Sequence, residues 1–149
     1  MVKSDIKTNI NNIKIVSNMQ FINNNKCFVC GKDNPFGFKL DFVLDGRILR
    51  SEVFFDDRFQ GFKGIVHGGI ISTMLDEVMV NLAVRLGLNA VTANLNVNLR
   101  KPAIINKKYF LVGEIISEKG KKVFSKAELK DADGNVVADA EGLLVKLNG

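Results

Sequence analysis

The sequence contains no tryptophan, one tyrosine and one histidine, and these shortages limit what the protein does. Without tryptophan and with one tyrosine, a platform for stacking nucleic-acid bases is poorly supplied. No apolar run is long enough to span a bilayer, because the most apolar stretch, 64–80, is interrupted by His67, Asp76 and Glu77. The first residues hold no apolar segment of a secretory signal. We therefore predict a cytoplasmic protein that binds neither nucleic acid nor a membrane.

Cysteine is scarce as well. Cys27 and Cys30 are the two cysteines, spaced C-x-x-C. A structural zinc site needs about four ligands, and the single histidine, His67, lies in a different kind of segment. A metal shared between subunits stays open, but two reduced thiols near a turn are the favoured interpretation. The sequence predicts no metal site and no cofactor.

Positive charge is in excess, but it is spread out. The net charge is +5, and the basic pairs Arg100–Lys101, Lys107–Lys108 and Lys121–Lys122 fall at predicted strand ends and turns. This distribution suits a small polyanionic ligand better than nucleic acid. Most of the individual lysines are equally explained as solvated surface charges.

The chain of 149 residues fits one domain. Residues 1–26 are rich in asparagine and carry isoleucines at helical spacing, so they form either a short helix or a loose arm before a domain at 27–149. Two residue pairs, Asp45-Gly46 and Lys119-Gly120, predict hairpin turns. The predicted strands are 38–44, 48–55, 91–100, 109–117, 123–129 and 136–147.

One helix is predicted over 68–86. Apolar residues recur along it at helical spacing and cover most of its circumference, which is typical of a buried helix; Gly87 is a good terminator. Six strands and one long apolar helix leave one economical packing, an antiparallel sheet that curls around the helix. The sequence therefore predicts an α+β fold. Small residues at 138, 140 and 142 would let a neighbouring element approach closely.

The start of this helix carries His67-Gly68-Gly69. Backbone N–H groups in the first turn of a helix are unpaired and lie at the positive end of its dipole. They suit a carbonyl oxygen that becomes negative during acyl transfer. The alternative is that both glycines merely allow a tight entry into the helix.

Asp76 lies inside the same helix, among apolar neighbours. Aspartate is a poor residue for a helix interior, and burying a carboxylate costs several kcal/mol (roughly) unless it is paired or functional. Glu77 points about 100° away, and an ion pair, for example with Arg85, is the simpler account of it. His67 and Asp76 are roughly 13 Å apart along a helix, so two antiparallel helices across a two-fold axis are needed to bring both to one carbonyl. This predicts a dimer.

Four segments together resemble the hotdog-fold thioesterases, in the branch near the phenylacetate-pathway enzymes. They are Cys27-Phe-Val-Cys-Gly-Lys-Asp-Asn-Pro-Phe-Gly, Gly61-Phe-Lys-Gly-Ile-Val-His-Gly-Gly-Ile-Ile-Ser-Thr-Met-Leu-Asp-Glu, Val91-Thr-Ala-Asn-Leu-Asn-Val, and Asp133-Gly with Ala138-Asp-Ala-Glu-Gly. The resemblance covers about 27–147. It implies a hotdog fold, in which about six antiparallel strands wrap around one long central helix, and the hydrolysis of acyl-CoA to free acid and CoA.

The resemblance also implies roles for four residues. The Gly68 N–H would polarise the thioester carbonyl, His67 would help to position it, and Asp76 would act as general base or nucleophile. Thr92 would hold the water or the carboxylate. By simple alternation Thr92 lies on the polar face of its strand, so it faces the helix only if that face is locally the inner one or if a bulge changes the parity.

Further residues are predicted to contact the substrate. Many relatives carry an amide side chain where Gly61 stands here, and Gln60, one place earlier, would substitute for it if the loop shifts. Arg100 and Lys101 would meet the CoA phosphates. Gly69 and Glu77 complete the predicted substrate-binding set.

Two other functions stay open. A hotdog-fold hydratase is suggested by Asp33-Asn34-Pro35, but Phe36-Gly37 stands where that motif would place a histidine. A binding module for acyl-CoA would be expected to lack a carboxylate at position 76. The acyl group, the choice between CoA and an acyl carrier protein, and the choice between homodimer and homotetramer are all left open.

Overall fold

The computed structural model of the chain describes residues 22–147. Its elements follow the predicted order of two strands, a helix and four strands. Of the predicted arm or helix at 1–26, residues 1–21 lie outside the described part of the chain. The elements are β1 (Val43–Asp45), β2 (Ile48–Phe54), a 3-10 turn (Asp57–Phe59), α1 (Gly68–Arg85), β3 (Ala90–Leu99), β4 (Lys108–Lys119), β5 (Lys122–Lys130) and β6 (Val136–Lys146).

The six strands form one antiparallel sheet in the order β1-β2-β4-β5-β6-β3. Both predicted hairpins are present, and each turn contains a glycine with positive φ: 60° at Gly46 and 58° at Gly120. Such a backbone conformation strains any residue with a side chain, so glycine is the natural choice there. The chain leaves β2 for the helix and returns to β3 at the far edge of the sheet.

The first strand is shorter than predicted. Residues 38–42 are not part of it, because Lys39 has a φ of 53° that breaks the extended backbone. The backbone N–H groups of Phe38 and Leu40 bind the carbonyls of Phe28 and Val29 instead. This segment is therefore tied to the chain around the two cysteines, and it also contacts the sheet through the 2.7 Å hydrogen bond that Ser51 Oγ of β2 donates to the Asp41 carbonyl.

Helix α1 packs on the concave face of the sheet. Seven of its apolar residues are buried: Ile71, Met74, Leu75, Val78, Met79, Leu82 and Ala83. Each fully buried large side chain contributes about 1.5–3 kcal/mol. The helix comes close to the strands at two glycines, because a Cβ on Gly113 would lie 3.0 Å from Val78 Cγ2 and one on Gly142 3.0 Å from Met79 Sδ.

The predicted row of small residues on β6 is confirmed, with Ala138, Ala140 and Gly142 all buried. A six-stranded antiparallel sheet curled around one central helix is the hotdog architecture that the sequence motifs predicted. Among residues 22–147, no helix has both the length and the apolar character needed to cross a bilayer.

Strand β3 contains a bulge that changes which side chains face the helix. Thr92 pairs with Leu144 and Asn94 with Leu143, so Ala93 is an extra residue between consecutive partners on β6. An extra residue reverses the alternation of side chains beyond it. Thr92 consequently faces the helix side together with Leu95, Val97 and Leu99 further along. The asparagines at 94, 96 and 98 are exposed.

Candidate active site

The N-terminus of α1 leaves one backbone donor unpaired. His67 is the N-cap residue, and its Nδ1 accepts a hydrogen bond of 2.9 Å from the Gly69 N–H. The His67 carbonyl accepts from the N–H groups of Ile70 and Ile71. Within residues 22–147, no acceptor binds the Gly68 N–H. Of the first-turn donors, this one is therefore available to an external carbonyl oxygen.

The hydrogen bond to His67 also fixes the state of its ring. A nitrogen that accepts an N–H carries no proton, so in the neutral imidazole Nδ1 is bare and Nε2 carries the hydrogen. The His67 side chain is exposed and lines the same pocket as Gly68, so its Nε2–H is a second donor for a ligand bound there.

Gly68 is closely approached by strand β3. A Cβ at this position would lie 2.7 Å from the Leu99 Cδ1 atom. Next to it is a mostly apolar pocket of about 530 Å³. The pocket is lined by Gly61, Phe62, Ile65, Val66, His67, Gly68, Ile71, Leu99, Arg100, Lys101, Pro102 and Ala103.

The second part of the site is a pair of side chains: Asp76, about two turns beyond Gly68 on α1, and Thr92 on β3. Thr92 Oγ1 donates a 2.6 Å hydrogen bond to Asp76 Oδ1, and the pair is partly buried. The bulge at Ala93 brings this about, because it allows Thr92 to face the helix while the rest of β3 keeps its apolar residues inside. The sequence left the orientation of Thr92 open, and the structure settles it toward Asp76.

Within one chain the two parts of the site are separate. Gly68 and Asp76 are eight residues apart on one helix, which corresponds to about 12 Å. A single carbonyl group cannot contact both of them in the same chain. One carbonyl group can contact both only if a second copy of the chain supplies one of them.

The predicted basic residues lie at the apolar pocket. Both Arg100 and Lys101 line it together with His67 and Gly68. Arg100 Nε donates to Asp139, which also accepts 3.0 Å from Asn98 Nδ2. This hydrogen bond with Arg100 lowers the pKa of Asp139, against the opposing effect of burial, and it raises the pKa of Arg100. A cation already paired in this way is held in place at the pocket rim.

Two predicted substrate-binding residues, Gln60 and Glu77, do not line the pocket beside Gly68. Gln60 is exposed and its Oε1 accepts a 3.1 Å hydrogen bond from the Gly64 N–H, so the side chain closes the loop before the helix. Glu77 lies on another side of α1, where its Oε1 accepts from Asn81 Nδ2 at 3.3 Å. Their proposed contacts with substrate stay predictions. Gly69 is at the helix N-terminus, with its N–H bound to His67.

Glu77 forms a cluster with Cys27 and Cys30 that the sequence did not predict. Ligand atoms of Cys27, Cys30 and Glu77 all lie within 4.8 Å of one another. Burial raises the pKa of the Cys30 thiol to about 12, helped by its hydrogen bond with Cys27 and by the charge of Glu77. The signal in the sequence was the C-x-x-C pair, but the third member is far away along the chain.

The sequence of the chain matches a known family. Residues 63–138, about half of the chain, match the model of the family described as the Thioesterase superfamily. This range contains the helix N-terminus, Asp76 and Thr92. The resemblance predicted from the sequence motifs is thereby confirmed.

Curated relatives agree with the family match. Acyl-coenzyme A thioesterase THEM4 of Bos taurus is 26% identical over 147 residues, which are 97% of this chain and 60% of that protein. The Mus musculus protein of the same name is 31% identical over 90 residues, 60% of this chain and 39% of its own length. The chain thus spans at most about 60% of the length of these two relatives.

Solved structures share the fold. A crystal structure of a thioesterase superfamily protein aligns with 95% of this chain and 81% of its own, with a TM-score of 0.78 and 23% identity. The PaaI protein of E. coli, from the phenylacetic acid degradation operon, aligns with 75% of this chain and 82% of its own, with a TM-score of 0.70 and 14% identity. The structure of smu.793 of Streptococcus mutans, bound to acetyl CoA, aligns with 72% of this chain and 87% of its own, with a TM-score of 0.68 and 18% identity. At these identities they confirm the hotdog fold.

Proposed function

The chain belongs to the thioesterase superfamily, and from this premise we propose that it hydrolyses acyl-CoA thioesters to a free acid and CoA. The observation that carries the proposal is the half-buried Asp76 carboxylate, held by the Thr92 hydroxyl at 2.6 Å. A carboxylate anchored in this way is held in one orientation, from which it can accept a proton from a water molecule. A protein that only binds acyl-CoA has no need of such a group.

Each group of the site has a step in the reaction. The thioester carbonyl oxygen accepts from the Gly68 N–H and from His67 Nε2, and these donors stabilise the negative charge that develops on it. Asp76 takes a proton from a water molecule, whose oxygen adds to the carbonyl carbon. The carbon–sulfur bond then breaks, and the CoA sulfur takes up the proton. Alternatively Asp76 adds to the carbon itself and the carbon–sulfur bond breaks, so that CoA leaves as the thiolate and a mixed anhydride remains. Water then hydrolyses the anhydride to the free acid and the Asp76 carboxylate, and the proton that the water loses goes to the CoA sulfur.

The proposed enzyme is a homo-oligomer built on a dimer. Gly68 of one chain and Asp76 of its partner meet when two α1 helices run antiparallel across a two-fold axis. Strand β3 supports this arrangement, because it lies at the edge of the sheet and its outer side has no partner among residues 22–147. Apolar Leu99, at the end of β3, is 54% exposed in the single chain. A second copy would cover both the strand edge and this side chain.

Three observations support CoA as the leaving group. Arg100 and Lys101 stand at the pocket that contains His67 and Gly68, and cations of this kind bind phosphates. The THEM4 relatives are named acyl-coenzyme A thioesterases. The smu.793 structure, which shares this fold, is bound to acetyl CoA.

The activity is tested with a panel of short, medium, long and aromatic acyl-CoAs. Product CoA is measured by HPLC, because the protein's own thiols would react with a thiol reagent. We expect steady CoA release from at least one substrate, and Asp76→Asn to lower kcat by roughly 100-fold or more. Asp133→Asn, in an exposed turn, is the control and should not change kcat. Binding without release would indicate a binding module, and full activity of Asp76→Asn would overturn the mechanism.

The shared site is tested by mixing two inactive variants. Gly68→Pro removes the N–H at the first helical position, where proline is tolerated, and the His67 backbone (ψ 130°) already has the conformation preferred before proline. After co-refolding with Asp76→Asn, half of the dimers are hybrids with one intact site, so about a quarter of wild-type activity returns. If both groups act within one chain, the mixture stays inactive. Gly68→Ala keeps the N–H and serves as the matched control.

A further inference from the structure

Outside the proposed active site, Cys27, Cys30 and Glu77 form a compact cluster of metal-binding atoms. Cys27 and Cys30 lie in a turn before β1, and Glu77 projects from the middle of α1. Their ligand atoms are all within 4.8 Å of one another, and each residue is half-buried. In a tetrahedral zinc site with Zn–S bonds of about 2.3 Å, neighbouring ligands lie about 3.8 Å apart. Closing the cluster on a zinc ion thus needs a shift of about 1 Å or less.

The turn that carries the cysteines is shaped to hold two sulfurs on one side. Cys27 Sγ accepts from the backbone N–H groups of Val29 at 3.4 Å and Cys30 at 3.5 Å. The Gly31 N–H binds the Cys27 carbonyl at 2.9 Å. A Cβ on Gly31 would lie 2.4 Å from Cys27 N, so this close turn requires glycine. The two sulfurs are thus held close together by the backbone of this turn.

Glu77 is oriented toward the sulfurs by a chain of side chains. Arg85 Nε donates to Asn81 Oδ1 at 2.6 Å, and Asn81 Nδ2 donates to Glu77 Oε1 at 3.3 Å. The same Glu77 oxygen is 3.7 Å from Cys27 Sγ. Among residues 22–147, Glu77 forms no ion pair with a lysine or arginine. A half-buried carboxylate facing two thiols lacks the positive charge that a cation would supply.

We propose that Cys27, Cys30 and Glu77 bind a zinc ion through two thiolates and one carboxylate. Thiolate ligands select zinc over magnesium and calcium, which prefer oxygen. Cys27, Cys30 and Glu77 line one groove with Lys26, Lys32 and Arg85, and a water molecule in this groove would complete the tetrahedron. Lys32 is paired with Asp41, so Lys26 and Arg85 would offset the net negative charge of a zinc ion with three anionic ligands.

The ion would fasten the segment before β1 to the helix one residue away from Asp76. The ion would not touch the proposed thioester site, since Glu77 and Asp76 point to different sides of α1. The cluster shares no ligand with the proposed hydrolase site. Failure of one proposal therefore leaves the other standing.

The test uses the reduced, chelator-treated full chain titrated with Co²⁺ and with Zn²⁺. We expect one equivalent of Co²⁺ to give thiolate-to-cobalt charge-transfer bands and tetrahedral visible bands, and Zn²⁺ to displace it. Zn²⁺ should protect both thiols from a thiol reagent and raise the Tm. Free, reactive thiols and no charge-transfer bands at one equivalent would overturn the proposal.

Variants assign the ligands. Glu77→Gln should weaken Co²⁺ binding about 10- to 100-fold and shift the visible bands, while Cys30→Ser should abolish the charge-transfer bands. Asp76→Asn removes a charge at the neighbouring position and should leave binding unchanged. Unchanged affinity in Glu77→Gln would exclude the carboxylate as a ligand and overturn the site as proposed. This variant replaces one half-buried polar group by another, so it tests the site even if the cysteine variants fail to fold.

Discussion

Replacing Thr92 by valine removes the hydroxyl that holds Asp76 and keeps the branched shape of the side chain. The hydrogen bond it removes is 2.6 Å long and partly buried. Hydrogen bonds to charged groups contribute about 1.5–3 kcal/mol. If the whole of this is lost in the transition state, kcat/KM falls roughly 10- to 150-fold, at about 1.4 kcal/mol per factor of ten.

Thr92 acts through Asp76, so it is a positioning residue and its effect belongs in kcat. Steady-state hydrolysis of the best acyl-CoA from the panel should show a lowered kcat with little change in KM. Thr92→Ser keeps the hydroxyl and should restore most of the rate, and its Tm should stay near that of the wild type. If Thr92→Val retains kcat/KM to within about twofold, or if serine is as poor as valine, the hydroxyl does not position the carboxylate.

Two further predictions concern stability. Gly113→Ala places a Cβ 3.0 Å from Val78 Cγ2 and 3.1 Å from the Val78 carbonyl oxygen, so the helix must move, and we expect the free energy of unfolding in urea to fall by about 1–3 kcal/mol. The control Ser117→Ala, at the exposed end of β4, should have an unfolding midpoint near that of the wild type. An unchanged midpoint for Gly113→Ala would contradict the close packing. In the wild type, the ion pair with Arg100 lowers the Asp139 pKa below its ordinary value of 3.8, and Asp139→Asn removes this ion pair. The ion pair stabilises the folded state fully above that ordinary value, and its contribution is lost as the pH falls toward the folded-state pKa. The Tm difference between wild type and Asp139→Asn should therefore narrow in acid, and a constant difference across the pH range would show that Asp139 is not responsible.

The fold was predictable because its signals are local. The apolar stripe of α1 and the terminator Gly87 determine the helix, and the residue pairs at 45–46 and 119–120 determine two hairpins. The first strand was predicted too long, because nothing near Lys39 indicates a positive φ. That conformation comes with hydrogen bonds to the chain around the cysteines.

The site was predictable in its parts but not in its connections. His67-Gly68-Gly69 and Asp76 stand out in the sequence, but the direction of Thr92 depends on how β3 pairs with β6, which alternation along one strand does not reveal. The cysteine cluster shows the same limit. The C-x-x-C spacing in the sequence points to two members of the proposed zinc site, Cys27 and Cys30. The third member, Glu77, is 50 residues from Cys27 in the sequence, so local spacing does not reveal it.

The bulge at Ala93 also matters to anyone who intends to alter this protein. Beyond it, alternate residues of one strand serve separate purposes: Leu95, Val97 and Leu99 turn inward, and the three asparagines between and before them meet solvent. Changes at Leu99 would reshape the cavity beside Gly68, whereas changes at Asn94 and Asn96 would alter the exposed face of the strand. Asn98 belongs to neither group, because it donates to Asp139, which also holds Arg100 at the pocket rim.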